Sequence, residues 1–275
     1  MKRGILIWAV SAIVYLGLVI AGYSLYATVN PKTNEQTKHA DHDQEKMDNQ
    51  EGHQAHEDHS TNKASDVTPK VSYANGEITI ELKDKNKHVP ELEVSHEKQM
   101  HLIVVSSDLK KYYHLHPEKK NNGLYSLKHN LPDNAYKIFV DIKPKGLNYT
   151  VNPIKINVGK IHQKHNRNDL DMDLELTKTI NGQTVELISQ SFEANKEITL
   201  NFNVKDAKPD PYLGALGHVV ILDEDGEKYI HVHPVADDKT VFKTQFNKPG
   251  VYKIWAEFKF GERVNVYPFV IEVKE

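Results

Sequence analysis

The sequence predicts a mainly β protein with four consecutive parts: an N-terminal transmembrane helix, a disordered histidine-rich linker and two tandem antiparallel β-sandwich domains. Three observations support this prediction. An uncharged apolar run opens the chain, a long polar stretch follows it, and the remainder contains a duplicated pattern of short strands that ends in H-x-H-P both times. The length of 275 residues accommodates two domains of the usual ~100–150 residues.

The composition excludes several classes of function. Lysine and arginine (35) nearly balance aspartate and glutamate (38), giving a net charge of -3, whereas nucleic-acid binders usually carry a clustered basic excess. We therefore expect no nucleic-acid partner. The absence of cysteine excludes disulfide scaffolds, thiolate metal sites, iron–sulfur clusters and cysteine nucleophiles. The unusual feature is the 16 histidines, and we expect the function to lie there.

Residues 1–29 are predicted to form a single membrane-spanning signal anchor. The run from Gly4 to Val29 contains no charged residue, and about 25 helical residues can cross a hydrocarbon core of ~30 Å. Lys2 and Arg3 precede the run, so the positive-inside rule places the N-terminus in the cytoplasm and the later domains outside the cell membrane. The alternative is a cleaved signal peptide, which would make the protein secreted, but its apolar region is usually only ~7–15 residues long.

Residues 30–70 are predicted to be a disordered linker. The segment has almost no large apolar residue and is rich in Asn, Gln, Lys, Asp, Glu and His, so it cannot bury enough surface to offset the entropy of ordering. Short histidine-rich tracts often bind metal. We expect weak metal capture here, with a plain solvated spacer as the alternative. The candidate ligands are His39, His42, His53, His56 and His59.

The rest of the chain is an internal repeat. The segment MHLIVVSSDLKKYYHLHP (Met100–Pro117) aligns with GHVVILDEDGEKYIHVHP (Gly217–Pro234), and AYKIFVDIK (135–143) aligns with VYKIWAEFK (251–259). Three histidines recur at identical spacing, and chance is a poor explanation for this recurrence. The alignment pairs His101 with His218, His114 with His231, and His116 with His233.

Each half of the repeat has the pattern of short antiparallel strands. Segments such as EITIEL, YKIFVDI, EITLNFNV and VYPFVIEV are β-branched or aromatic and are bounded by turn residues. Asn-Gly pairs such as Asn75-Gly76 mark tight hairpins. Many short strands at near-regular spacing favour two immunoglobulin-like sandwiches, which we place at residues 71–160 and 168–275. DMDLEL (171–176) is the first strand expected in the second.

The repeated histidines predict paired three-histidine metal sites. Alternate residues of a strand project from the same face, so His114 and His116 point together, and a short hairpin brings His101 beside them. Three imidazoles that leave an open position suit a divalent transition metal, Cu(II) or Zn(II). The second site has the same composition: His218, His231 and His233.

Met100 and His96 are further candidate ligands of the first site. The thioether of Met100 favours Cu(I), although the residue fits a strand-core position equally well. Gly217 and Leu213 replace these two residues in the second half. A structural role is the alternative for all the repeated histidines, in which their rings hydrogen-bond loop backbone and hold the fold.

The two motifs resemble those of a group of bacterial secreted or membrane-anchored β-sandwich proteins, which are described as hypothetical or as heavy-metal or copper associated. The resemblance rests on YLGALGHVVILDEDGEKYIHVHP and MHLIVVSSDLKKYYHLHP and covers Val71–Glu275. It implies immunoglobulin-like domains outside the cytoplasm and a metal role for the six repeated histidines.

Together these features predict a membrane-anchored extracytoplasmic metal-binding protein that captures, buffers or delivers copper or zinc. An envelope metal-transport or assembly protein is the expected partner. The alternative is an envelope interaction module with structural histidines. A zinc-dependent hydrolase or hydratase is a third hypothesis, but the sequence has no H-E-x-x-H, G-x-S-x-G or phosphate-loop motif, so we expect no enzyme.

Overall fold

The computed structural model describes residues 64–161, 170–205 and 207–275, which belong to one compact unit of the chain. These ranges are all β, with strands joined by turns and no helix. In the described part of the chain there is accordingly no helix that could cross a membrane. The predicted transmembrane helix (1–29) lies outside the described residues, as do the linker histidines His39, His42, His53, His56 and His59.

The first sandwich consists of two antiparallel sheets and a small ribbon. Its strands are β1 (Val67–Ala74), β2 (Glu77–Asp84), β3 (Leu92–Glu93), β4 (His101–Ser106), β5 (Tyr112–Leu115), β6 (Glu118–Asn121), β7 (Leu124–Lys128), β8 (Asn134–Asp141), β9 (Lys143–Pro144) and β10 (Ile154–Val158). One sheet has the order β1-β2-β7-β6, the other has the order β10-β8-β4-β5, and β3 pairs with β9. The first strand begins at Val67, which is inside the segment 30–70 that we assigned to the linker.

The second sandwich repeats this arrangement. Its strands are β11 (Thr177–Ile180), β12 (Gln183–Ile188), β13 (Glu197–Lys205), β14 (His218–Asp223), β15 (Tyr229–Val232), β16 (Val241–Gln245), β17 (Gly250–Phe260) and β18 (Arg263–Val273). The sheet orders are β11-β12-β13-β16 and β15-β14-β17-β18. The two immunoglobulin-like sandwiches predicted from the sequence are therefore present. DMDLEL (171–176) does not form a strand. Its contacts with the neighbouring strands are single backbone bonds at Asp173 and Leu176, the regular strand begins at Thr177, and Leu174 is fully exposed.

Strand alternation builds a separate core in each sandwich. On β2, Ile78, Ile80 and Leu82 are buried while their neighbours are not. These residues pack with the inward side chains of β4 and β8. Asn75 and Gly76 form the β1–β2 turn with φ angles of 52° and 75°, the left-handed conformation that such two-residue hairpins require.

A third apolar cluster joins the two sandwiches. On β4, Leu102 and Val104 enter the core of the first sandwich, whereas Ile103 and Val105 pack on the second. The equivalent strand β14 divides its side chains in the same way. The cluster consists of Ile103, Val105, Leu109, Phe139, Val220, Leu222 and Trp255. Both faces of β4 and β14 are therefore buried, which explains their unbroken apolar sequences.

Aromatic stacking across this interface follows the internal repeat. Tyr112 of β5 stacks on Trp255 of β17, with ring centroids 5.0 Å apart. The reciprocal pair is Tyr229 of β15 on Phe139 of β8, also at 5.0 Å. Tyr112 aligns with Tyr229 and Phe139 with Trp255 in the repeat, so the sandwiches meet through equivalent surfaces. Such a pairing is the intrachain counterpart of an isologous dimer interface.

Candidate metal centre

The two H-x-H pairs lie on or next to β5 and β15, the edge strands of the two sheets that meet at the interface. On β5, Tyr113 and Leu115 pack against the core of the first sandwich. His114 and His116 consequently project from the other face, as strand alternation predicts. Ring centroids of the two histidines are 4.7 Å apart.

His101 completes the first triad from the neighbouring strand β4, where Leu102 pairs with Leu115 in register. His101 Nδ1 lies 2.9 Å from His114 Nε2 and 3.3 Å from His116 Nε2. Within the described ranges this is the one group of three or more histidine or carboxylate side chains whose donor atoms all lie within 4.8 Å of one another. The structure thus brings the first predicted triad together.

Hydrogen bonds on the far side of two rings fix which nitrogen carries the hydrogen. His101 Nε2 lies 3.0 Å from the carbonyl oxygen of Ser95, and His114 Nδ1 lies 2.8 Å from Oε2 of Glu257. Because carbonyl and carboxylate oxygens accept, both of these nitrogens donate. In the neutral rings, His101 Nδ1 and His114 Nε2 therefore direct lone pairs at each other.

This convergence of nitrogens matches the geometry of a metal centre. Two nitrogens bound to one tetrahedral ion at 2.0–2.1 Å are separated by about 3.3 Å, and the observed separations are 2.9 and 3.3 Å. A small outward movement of the His114 ring is enough to admit an ion. Three nitrogens also leave one position open for water or another ligand.

Burial keeps the triad ready for a cation. The pKa of His101 is lowered to about 3, mainly because burial removes solvent from the ring and secondly because the His231 ring is close. Burial, with the adjacent His114, likewise lowers the pKa of His116 to about 3. Both rings are neutral at pH 7, so a metal ion would not have to displace a proton from either of them.

The second triad has the same chemistry with a wider spacing. Ring centroids of His231 and His233 are 4.6 Å apart, but His218 lies 6.2 Å from the first and 6.5 Å from the second. His218 Nε2 donates to the carbonyl oxygen of Tyr212 at 2.9 Å, and His231 Nδ1 donates to Oδ2 of Asp141 at 2.7 Å. We call these donating nitrogens the outer nitrogens and the second nitrogen of each ring the inner one. The inner nitrogens His218 Nδ1 and His231 Nε2 are buried with no hydrogen-bond partner.

Orphaned nitrogens of this kind are costly, since a buried polar atom without a partner loses about 1–3 kcal/mol of hydration. Burial lowers the pKa of His218 well below 6.5, aided by the nearby His231. Protonation of His218 is therefore an unfavourable way to satisfy its inner nitrogen.

Each sandwich supplies the carboxylate that holds a histidine of the other. Glu257, on β17 of the second sandwich, accepts from His114 of the first, and both side chains are nearly inaccessible to solvent. Asp141, on β8 of the first sandwich, accepts from His231 of the second and from the hydroxyl of Tyr229 at 2.9 Å. Burial raises the pKa of Asp141, but the hydrogen bond and charge of His231 outweigh that effect and the net shift is downward.

His96 lies between the two triads. We expected it to serve the first site, but its ring centroid is 6.4 Å from that of His101 and 3.8 Å from that of His233, on which it stacks. Its centroid is 5.6 Å from that of His218. His96 is therefore a neighbour of the second triad, contributed by the first sandwich, and it is not part of the gathered first group.

Met100 is a core residue. It is 1% exposed and packs in the core of the first sandwich, while the next residue, His101, faces the interface. Its thioether does not belong to the site, which corrects its place among the candidate ligands. Glycine is required at the equivalent position 217, because an added Cβ would stand 2.5 Å from the ring of Phe258 and 2.8 Å from the Glu257 carbonyl oxygen.

Sequence reasoning missed the residues that bind the outer nitrogens. Asp141 and Glu257 align in the repeat, each towards the end of an apolar strand, and a carboxylate at one equivalent strand position in both halves was the available signal. Ser95 and Tyr212 act through backbone carbonyls, which side-chain patterns cannot reveal. The spacing of the motifs also could not reveal that the two sites meet at one interface between the sandwiches.

Fold and site together define a protein of two immunoglobulin-like sandwiches with a buried histidine cluster where they meet. The chain belongs to the family described as "Domain of unknown function (DUF8832)", which matches residues 55–159 and 178–275. That description names no metal and no activity. No protein with a curated description matches the sequence.

Several solved structures are distantly similar to the chain. A segment of two fibronectin type III domains from chicken tenascin is 14% identical, with a TM-score of 0.24, and the match covers 76% of this chain and 98% of that one. The Escherichia coli adhesin FdeC is 13% identical, with a TM-score of 0.24 and coverage of 78% and 65%. The BSP domain of a biofilm associated protein is 12% identical, with a TM-score of 0.20 and coverage of 76% and 30%.

Proposed function

We propose that this protein binds divalent transition-metal ions at paired three-histidine sites, one in each sandwich, and does not catalyse a reaction. The observation that carries the proposal is the first triad. His101 and His114 each donate one ring N–H away from the triad, to the Ser95 carbonyl oxygen and to Glu257. Their other nitrogens face the centre of the triad, where His101 Nδ1 lies 2.9 Å from His114 Nε2 and 3.3 Å from His116 Nε2. Three ring nitrogens that converge in this way could hold a metal ion at their centre.

A purely structural role accounts for less of this geometry. A proton on His114 would allow its ring to donate both to Glu257 and to His101, and one such proton would satisfy that pair. The nitrogen of His116 would remain directed at the same point. In the second triad, the inner atoms His218 Nδ1 and His231 Nε2 have no hydrogen-bond partner at all. An ion at each triad satisfies the nitrogens that protons leave unsatisfied.

The donor set favours Cu(II) or Zn(II) as the ion. Imidazole is a ligand of intermediate softness that suits both metals, and Cu(II) binds most tightly in the Irving–Williams order. The chain has no cysteine, and among the described residues the thioether next to the triads in sequence, that of Met100, lies in a core. The sites therefore lack the soft ligands that would select Cu(I). The resemblance of the motifs to envelope proteins described as hypothetical or as heavy-metal or copper associated supports a divalent metal.

We further propose that the sites act outside the cytoplasm. The apolar run of residues 4–29 would anchor the chain in the cell membrane, and the histidines of the linker would capture ions weakly and pass them to the sandwiches. A partner for delivery would be another envelope protein that handles metal or assembles around it.

Metal content and affinity test the proposal directly. The full chain, purified in detergent without a histidine tag, should contain copper or zinc by elemental analysis. After chelation, and with the five linker histidines replaced by asparagine, titration against a chromophoric chelator should show two bound ions. His116→Ala should remove one of them.

The control is His88→Ala, since the His88 side chain is 79% exposed and far from any convergence of nitrogens; it should bind two ions. Absence of binding tighter than about 1 mM would contradict the proposed function. Melting curves separate the structural alternative, which predicts that chelation leaves stability unchanged while His114→Ala lowers it strongly.

A further inference from the structure

We propose that the two ion sites form one interdomain centre in which each sandwich positions a ligand of the other: Glu257 orients His114 for the first ion, and Asp141 orients His231 for the second. This inference rests on the proposed function and adds the positioning residues and the coupling of the two sites. Metal binding then holds the sandwiches together, because each ion depends on a carboxylate from across the interface.

The exchange is not a consequence of proximity along the sheet. In strand register, Asp141 is the partner of His101, and Glu257 is the partner of His218. Each carboxylate therefore lies beside a histidine of its own sandwich. Both nevertheless make their short hydrogen bond to a histidine of the opposite one, His114 or His231.

A tyrosine hydroxyl supports the crossed pattern at one of the two carboxylates. Tyr229 of the second sandwich donates to Asp141 at 2.9 Å, so Asp141 accepts from this phenol and from the His231 imidazole. The equivalent hydroxyl of Tyr112 is buried with no hydrogen-bond partner. Glu257 is therefore directed at the His114 imidazole without a phenol beside it.

The chemistry of metal sites gives these contacts a function. A histidine that binds a metal usually donates its other ring N–H to a carboxylate or carbonyl, which fixes the tautomer and raises the basicity of the ligand nitrogen. His101 and His218 use the backbone carbonyls of their own sandwich for this purpose. Of the four hydrogen bonds to these outer ring nitrogens, the two made by carboxylates cross the interface, and through them the ion of one sandwich depends on the other.

A pair of single-site chains makes the coupling measurable. Both are full-length, purified in detergent, and carry asparagine in place of the five linker histidines. His233→Ala retains only the first triad, and His116→Ala retains only the second. Zn(II) affinity is measured in each by competition with a chromophoric chelator, before and after the carboxylate substitutions.

The expected result is a crossed pattern. Glu257→Gln, a change in the second sandwich, should lower the affinity for the first ion by roughly 10- to 100-fold, the usual cost of losing such a hydrogen-bond partner. The affinity for the second ion should change by less than about threefold, which is well under the tenfold that 1.4 kcal/mol represents. Asp141→Asn should do the reverse. Glu262→Gln, an exposed carboxylate in the β17–β18 turn, is the matched control and should change neither.

Other outcomes overturn the coupling in recognisable ways. If Glu257→Gln weakens only the second ion, the carboxylate acts on its own sandwich and the proposal is wrong. If both single-site chains bind zinc and neither carboxylate change alters affinity, the coupling is wrong while the proposed function stands. If neither chain binds Zn(II), nor Cu(II) in the same titration, both fail.

Should Glu257→Gln not fold, Glu257→Asp keeps the charge one methylene farther from His114. It should then weaken the first ion and spare the second. If folded Glu257→Asp binds the first ion as tightly as the parent single-site chain does, the proposal is overturned.

Discussion

The first and second triads carry the same three histidines on equivalent strands, yet only the first is gathered. The H-x-H pairs are nearly identical, with ring centroids 4.7 and 4.6 Å apart, because one strand sets that spacing. The difference lies in the third histidine. His101 is 5.2 and 5.0 Å from its partners, whereas His218 is 6.2 and 6.5 Å from its own.

The surroundings of the two triads also differ. His96 of the first sandwich stacks on His233 and stands edge-on to His218, whereas the equivalent position of the second sandwich is Leu213, which has no imidazole. The two halves therefore share the candidate ligands and the hydrogen-bond partners of their rings, and they differ at this turn position.

The largest expected effect is loss of one ion from one triad only. His116→Ala should weaken the first ion by more than the roughly 10- to 100-fold typical of losing a ligand's hydrogen-bond partner, because it removes a ligand itself. His233→Ala should do the same to the second ion. Competition titration with zinc would measure both. Loss of both ions from either variant would mean that the triads share a single ion.

A smaller but sizeable effect is expected from Gly217→Ala. The added methyl would overlap the Phe258 ring and the Glu257 carbonyl, and overpacking of this kind costs about 1–3 kcal/mol of unfolding free energy. Urea unfolding would measure it. Met100→Leu is the comparison at the equivalent position of the first half and should cost less than about 1.5 kcal/mol. Equal stability of Gly217→Ala and the parent chain would show that Phe258 moves aside freely.

A modest change is expected from His96→Leu, which gives the first half the residue found at the equivalent position of the second half, Leu213. Loss of the stack on His233, worth about 0.5–1.5 kcal/mol, should free that ring and strengthen second-ion binding by up to about tenfold. The first ion should be unaffected. Weaker second-ion binding in this variant would instead identify His96 as a fourth ligand.

A separate expected effect concerns the pH dependence of unfolding. Burial lowers the pKa of His101 and His116 to about 3, while in the unfolded chain they titrate near 6.5. Between these values the unfolded chain binds more protons, so the metal-free protein should lose stability as pH falls from about 6.5 towards 3 and show no contribution from these groups above that range. Urea unfolding at several pH values would measure the slope. His116→Asn should make it shallower, and a rise in stability on acidification would contradict this account.

The sequence alone was sufficient for the sandwiches and for the first triad. Asn-Gly turns, alternating strands and the repeated H-x-H depend on local periodicity, and His114 and His116 follow from a strand's period of two. The strand predicted at DMDLEL was wrong because the segment bonds β18 only through Asp173 and leaves Met172 and Leu174 exposed instead of burying one face. Met100 had two readings, and tertiary packing alone decided between them. Asp141 and Glu257 could not be assigned because their hydrogen bonds depend on how the two sandwiches meet.

The central claim is that a metal ion sits where the inner nitrogens of the first triad converge. Anomalous diffraction from crystals grown with Zn(II), recorded on both sides of the zinc absorption edge, tests it most directly. We expect a peak at about 2.0–2.1 Å from His101 Nδ1, His114 Nε2 and His116 Nε2, with the Glu257 and Ser95 hydrogen bonds intact. A map with zinc elsewhere and none among these three nitrogens would contradict the account.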